Sequence, residues 1–296
     1  MDAWCATHLG AALAGARGWI TSVGCVGLVV LTDGREAAIK VHQPDRSTAF
    51  LVDVQTVQRT VVEAGVAAPL PLVPPAPIRP GGPLATADSF VADPGVTDGR
   101  APGAARAAAT ALAVATRATR HLPSTTIAAH PMHTPAGQLY PTPHSPVFDF
   151  EATADGAEWI DNHARAAREV LDVPGAGGPP VLVHQDWCSR NVRVVDDVVV
   201  AAYDWDSVSR VPVARAAGHA AILWPCTGEQ GMPDPSTVEE LDAFLDAFAD
   251  GWGHLTAADR NVARASARYS LAYLARCEHA IGREDGAGTR CLRASR

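Results

Sequence analysis

Residues 181–206 read VLVHQDWCSRNVRVVDDVVVAAYDWD, and this stretch decides the fold. Val181–Val183 is a short apolar run, the pattern of a buried strand, and it delivers His184-Gln185-Asp186. Asn191 follows five residues after Asp186. Val192–Val195 and Val198–Ala202 then flank Asp196-Asp197, which reads as a hairpin with a two-residue turn. Asp204 and Asp206 stand at its far end. With that turn, Asn191 faces Ala202, and Asp204, two residues on, shares the face of Ala202. Asn191 and Asp204 are thus expected as diagonal neighbours, about 7–8 Å apart at the backbone. An amide oxygen and a carboxylate at that spacing suit one hard cation such as Mg²⁺, with Asp186 at the mouth of the site. The stretch has no His/Cys cluster of the kind that zinc prefers.

H-x-D-x-x-x-x-N, an apolar hairpin and D-x-D together resemble the catalytic core of the aminoglycoside phosphotransferase and choline kinase family, which shares the protein-kinase-like fold. The resemblance implies an α+β, two-lobed chain. Residues 1–93 would form a small β-sheet lobe with one helix that binds nucleotide. Residues 94–296 would form a larger, mainly helical lobe with the catalytic hairpin and the acceptor site, and the Asp93-Pro94-Gly95 turn would mark the boundary. It further implies that Asp186 is the catalytic base or hydroxyl orienter, that Asn191 and Asp204 hold Mg²⁺, and that ATP or GTP is the phosphoryl donor. Gln185 stands where the family usually has Gly.

Outward toward the N-terminus, residues 17–42 read as strand–turn–strand. An apolar run, Leu28–Leu31, and a strand at Ala37–Val41 flank the turn signal Thr32-Asp33-Gly34. Lys40 in the second strand is the only lysine of the chain; every other basic residue is Arg. A position that keeps Lys in such a chain needs a compact ammonium on a flexible stem. The resemblance implies that Lys40 contacts the nucleotide phosphates, with Gly24 and Gly27 in a loop over them. This loop is not the G-x-x-x-x-G-K-[ST] phosphate cradle. A helix is expected at Thr48–Ala64, closed by Gly65. The family's acid partner for the lysine would be Asp53 on that helix, with Glu63 second.

Elsewhere the reading is coarser. Strands are expected at Leu70–Val73 and Thr86–Ala92, helices at Ala101–Arg120 and Gly156–Leu171, and helices across Val213–Ala280. The segment His121–Asp149 holds His121, His130, His133 and His144 at a spacing that matches no metal site; it is either a cleft wall or a surface loop. Ser236-Thr237-Val238-Glu239 reads as a capping box. On the helix it opens, Leu241, Phe244, Leu245 and Phe248 form a buried stripe, and Glu239, Asp242, Asp246 and Asp250 share another face. That face is either a solvated surface or a wall that attracts an amine-bearing, cationic acceptor. No long segment of the kind that serves as an activation loop separates Asp206 from the next helical stretch, and A-P-E is absent, so the acceptor is expected to be a small-molecule hydroxyl and not a protein.

Composition narrows the classes. The chain has 296 residues, of which 47% are hydrophobic and 19% charged, an ordinary globular mix. Asp plus Glu outnumber Lys plus Arg by 32 to 24, for a formal charge of -8, the wrong sign for a general nucleic-acid partner. The absence of a bilayer-length apolar run or a secretory leader, with six scattered cysteines, reads as a cytoplasmic chain of free thiols, with no membrane partner. Within the motif, His184 is expected to bond backbone, Trp187 and Trp205 to pack, and Cys188 to be inert. Arg190 either touches a phosphate oxygen or pairs with an acid. Two alternatives to an antibiotic-type phosphotransferase stand beside it: a kinase-fold binding protein without transfer activity, and a primary-metabolite kinase of choline or homoserine type.

Overall fold

Alternating apolar residues give one sheet two unlike faces. The computed structural model describes residues 1–21, 24–101, 103–123, 126–130, 138–143, 145–226 and 234–294. After α1 (Asp2–Leu9) come β1 (Leu13–Thr21), β2 (Cys25–Leu31), β3 (Glu36–Val41), α2 (Thr48–Glu63), β4 (Pro71–Pro77) and β5 (Leu84–Ser89). The strands form one antiparallel sheet in the order β1-β2-β3-β5-β4. Val29, Leu31, Ala37, Ile39, Ala85 and Ala87 point to one side and bury Trp4, Cys5 and Leu9 of α1 against it. Because side chains alternate, Lys40 and His42 point to the other side. Helix α2 carries Val54, Val57 and Val61 into the larger core of the helical part. Its N-cap is Ser47, whose hydroxyl accepts from the Phe50 amide at 3.1 Å.

The remainder is mainly helical. It comprises α3 (Ala104–Thr119), α4 (Glu158–Leu171), β6 (Pro180–His184), β7 (Val192–Val195), β8 (Val198–Ala202), a 3₁₀ turn (Trp205–Ser207), β9 (Val208–Pro212), α5 (Val213–Leu223), α6 (Val238–Trp252), α7 (Ala257–Ala280) and α8 (Ala287–Ala294). The small lobe's sheet and this helical part together make the α+β, protein-kinase-like architecture expected from the motif. The chain leaves β5 into a segment tied to the hairpin. There Arg193 makes two bonds to Asp93, at 2.6 and 3.0 Å, and Thr97 bridges Val192 and Val194. The paired guanidinium holds Asp93 below the usual carboxylate range.

Several expectations shift in detail. Two strands lie at Pro71–Pro77 and Leu84–Ser89 in place of 70–73 and 86–92. Strand β9 pairs with β6, so the chain does not pass directly from Asp206 into helix. The capping box sits one residue later: Thr237 is the cap and Glu240 its partner. Leu241, Phe244, Leu245 and Phe248 are buried as expected.

Helices α5 and α7 cross at Gly218. A Cβ there would fall 1.9 Å from the Ala263 carbonyl oxygen, so only Gly allows the approach. Overpacking a tight contact costs about 1–3 kcal/mol. Gly218→Ala should therefore lower the melting temperature by several degrees. An unchanged thermal transition would contradict this packing.

Candidate active site

The hairpin positions the site, and its register is not the simple one. Val195 pairs with Val198 and Val194 with Val199, as a two-residue Asp196-Asp197 turn requires. Both turn residues have positive φ, 49° and 59°, which Asp tolerates better than most side chains. Between Arg193 and Val194 a bulge shifts the pairing by one, so Val192 faces Ala202. Asn191 therefore lies beside Tyr203, whose amide donates to the Asn191 carbonyl at 2.9 Å, and not opposite Ala202. That corrects the diagonal derived from the sequence. Asp204 leaves the strand in a left-handed conformation, φ 64° and ψ 45°, which turns its carboxylate out of the strand's alternation.

Lys40 meets that carboxylate. Its Nζ lies 2.5 Å from Asp204 Oδ1 and 2.6 Å from Asp206 Oδ1, across 164 and 166 residues of chain. Burial alone would lower the Lys40 pKa, but the two carboxylates outweigh it and raise it. Asp206 is pushed up by burial and pulled further down by the His42 bond and the Lys40 charge, so it stays well below the carboxylate range. His42 Nδ1 is 3.4 Å from Asp206, and His42 Nε2 is 2.9 Å from the Thr86 hydroxyl on β5. His42 and Thr86 thus back the motif's Asp206 with polar groups that the motif did not announce.

Asp186 sits at the end of β6. Asn191 Nδ2 donates to its backbone oxygen at 3.0 Å and to its Oδ2 at 2.6 Å. Arg190 pairs with the same Oδ2 at 3.2 Å, which settles its partner as an acid. Burial pushes the Asp186 carboxyl up, but Arg190, His184 and the Asn191 bond outweigh it and leave it lowered. Asp186 is thus ionised at neutral pH, as an acceptor of a proton must be. His184 Nε2 lies 2.8 Å from the Tyr203 carbonyl, and its ring packs edge-on against Trp187 and Trp205. Burial lowers its pKa, and it joins β6 to the hairpin as a structural histidine. The two indoles are buried, donating to Ala108 and Ala202 carbonyls. Burial pushes the Cys188 thiol up to about 12, which makes it a poor nucleophile. All six cysteines are free.

Other expected residues fall elsewhere. Gly24 lies against β3: a Cβ there would be 2.8 Å from the Val41 carbonyl and 3.7 Å from Lys40 Cε. Gly27 lies inside β2, not in a loop. It pairs with Trp19, and the Trp19 ring occupies the space its side chain would need. Asp53 accepts from the Thr126 hydroxyl at 2.5 Å and is not among the ion-pair partners of Lys40; Glu63 lies exposed at the end of α2. His133 and His144 lie outside the described residues. His130 packs against His219 of α5 at 5.9 Å, and His219 bonds Ser270 at 2.8 Å and the Gln185 backbone, next to Asp186. On α6, Asp242 pairs with Arg264 at 2.9 Å and Asp246 with Arg260 at 2.7 Å. α7 therefore neutralises two carboxylates of the acidic face.

The donor set fits a hard cation. Asn191 spends its amide nitrogen on Asp186, which leaves its oxygen as the acceptor end, and Asp204 is 41% exposed at the side chain. Among the described residues no group of three or more His, Cys, Asp or Glu gathers where it could hold a metal ion. Among the same residues no helix is long and apolar enough to cross a membrane.

No protein-family model and no curated protein matches the chain. Solved structures do. The amicoumacin kinase hAmiN, in complex with AMP-PNP, Ca²⁺ and Ami, superposes with a TM-score of 0.64 at 12% identity, over 94% of this chain and 88% of that one. The chain has the fold of the aminoglycoside phosphotransferases and related small-molecule kinases. The spectinomycin phosphotransferase APH(9)-Ia, in complex with ADP and spectinomycin, gives 0.62 at 11% identity over 99% and 92% of the two chains. A microcompartment-associated aminopropanol kinase gives 0.59 at 14% identity over 94% and 88%. This phosphotransferase fold places Lys40 on a strand of the small sheet and the D-x-D aspartates beyond the hairpin, where the two meet.

Proposed function

We propose that the chain transfers the γ-phosphoryl group of ATP or GTP to a hydroxyl of a small molecule. The observation that carries this is the meeting of the sole lysine with Asp204 and Asp206, beside the Asp186–Asn191 pair. Residues 1–93 serve as the nucleotide lobe and 94–296 as the catalytic and acceptor lobe. Lys40 binds phosphate oxygens. Val26 and Ala38, on the same sheet face as Lys40, border the nucleotide, and Gly24 lets the chain lie close over β3 there. Asn191 and Asp204 would hold Mg²⁺, which neutralises phosphate charge when bound. Asp186 orients the acceptor hydroxyl and takes its proton as the oxygen attacks phosphorus and the bond to the leaving nucleoside diphosphate breaks. Arg190 and Asn191 share one carboxylate oxygen of Asp186, Oδ2.

The acceptor need not be a polycation. The acidic face that suggested one is engaged by Arg260 and Arg264. Its relatives by fold include kinases of antibiotics and of an amino alcohol by their names. The test is transfer from γ-labelled ATP and GTP to a panel of amines, sugars and antibiotics. An acid-stable phosphomonoester formed only with divalent metal supports the reading. Tight nucleotide binding with no turnover, even to water, would favour a binding protein instead.

Lys40 supplies a sharper check. Its ammonium fits between two carboxylates at 2.5 and 2.6 Å with Gly24 packed close to its stem. Arg keeps the charge but is longer and planar. Lys40→Arg should lose most activity, read as kcat/KM for the nucleotide. A loss under about threefold, some 0.6 kcal/mol of transition-state stabilisation, would mean that the position tolerates any cation.

A further inference from the structure

The small lobe holds a half-buried carboxylate that this mechanism leaves without a role. Asp88 on β5 stands opposite Ala38 of β3, while Lys40 stands opposite Thr86. Lys40 and Asp88 are therefore diagonal neighbours on one sheet face, about 7–8 Å apart at the backbone, within reach of a lysine stem. Helix α2 offers no acid there. Its buried side chains toward the sheet are Gln55 and Gln58, which donate to the Val73 and Pro69 carbonyls at 2.9 and 2.6 Å. Gln58 also bonds Asp88. Strand β5 lies between β3 and β4, so the carboxylate is fixed by pairing on both sides.

We propose that Asp88 is the positioning residue that holds Lys40 once Asp204 engages metal and nucleotide, the part that a helix acid would otherwise play. The proposal rests on the phosphotransferase reading above. In the present structure both bonds of Lys40 run to the D-x-D carboxylates. When Asp204 shares its charge with a cation, a flexible ammonium loses half of its anchorage. A third carboxylate on a rigid inner strand keeps it aimed at the phosphates. The charged groups that face Asp88 are Lys40 from β3, Arg59 from α2 and Asp206 from the 3₁₀ turn, while its neighbours across the strands, Ala38 and Pro71, carry no charge. Burial pushes the Asp88 carboxyl up to about 6 against the pull of Lys40, Gln58 and Arg59.

The test measures Mg²⁺–ATP and Mg²⁺–GTP binding by calorimetry, so that it does not depend on knowing the acceptor. Asp88→Asn keeps the size and the bond to Gln58 but removes the charge. It should bind nucleotide roughly tenfold more weakly at pH 7.5, with an unchanged melting temperature. Asp88→Glu should recover most of the loss. As pH falls through about 6, Asp88 takes up a proton and the wild type should converge on Asp88→Asn. Titration of the nucleotide's own phosphate affects both proteins alike and drops out of the comparison. If Asp88→Asn does not fold, Asp88→Thr, which suits a strand, carries the same expectation. Equal affinity of wild type and the neutral variant at pH 7.5 overturns the role of Asp88 and leaves the function standing. A wild type that binds neither nucleotide overturns both.

Discussion

Asp186→Ala should cut kcat by roughly 10²–10⁴-fold, the range of a positioned general base, while nucleotide affinity stays within about threefold, a change of some 0.6 kcal/mol. The geometry gives the reason. The carboxylate sits at the strand end, ionised, with one oxygen shared between Asn191 and Arg190. It makes no bond to Lys40, so the phosphate side of the cleft survives its removal. The variant loses the Asn191 contact as well, and Asp186→Asn separates the two effects: an amide oxygen still accepts from Asn191 but takes no proton. Both variants should be slow. Wild-type turnover by Asp186→Asn, with a confirmed acceptor, would remove the base assignment.

Asp204→Ala should abolish metal-dependent nucleotide binding. Truncating one partner of a hydrogen-bonded charge pair in an interface costs about 2–5 kcal/mol, roughly 30- to several-thousand-fold in affinity. The loss should concern ligand and not fold. Asp204 is 41% exposed, and Lys40 keeps its bond to Asp206 when Asp204 is gone. Titration of a fluorescent nucleotide analogue with and without Mg²⁺ reads this directly. The same affinity in both proteins would place the metal elsewhere.

The fold was legible where the sequence carries period and punctuation together. Val192–Val195 and Val198–Ala202 around Asp196-Asp197 form the hairpin at those limits. Lys40 on its strand and Thr48 at the start of α2 also match. Helix α1 was not legible, because eight residues with three buried side chains, Trp4, Cys5 and Leu9, are too short to show a helical period. Strand β9 was hidden because its pairing with β6 is set by a partner more than twenty residues away. Within the site, the bulge at Arg193/Val194 moved Asn191 from Ala202 to Tyr203, and no residue type announces a bulge there. The turn of Asp204 into a left-handed conformation brings it to Lys40 all the same. The resemblance points to a helical partner for Lys40, at Asp53 or Glu63, and neither is among its ion-pair partners. Asp88 on β5 shares the face of Lys40 only through strand register, which a single sequence does not display.

The central claim is that this cleft binds a nucleotide through metal and Lys40. Calorimetric titration of ATP and of GTP into the wild-type protein, with Mg²⁺ and then with the metal chelated, tests it most directly. Saturable one-site binding that needs Mg²⁺, and that falls away in Lys40→Ala, is the expected result. Absence of binding by both nucleotides at millimolar concentration, or binding indifferent to Mg²⁺ and to Lys40, would contradict it.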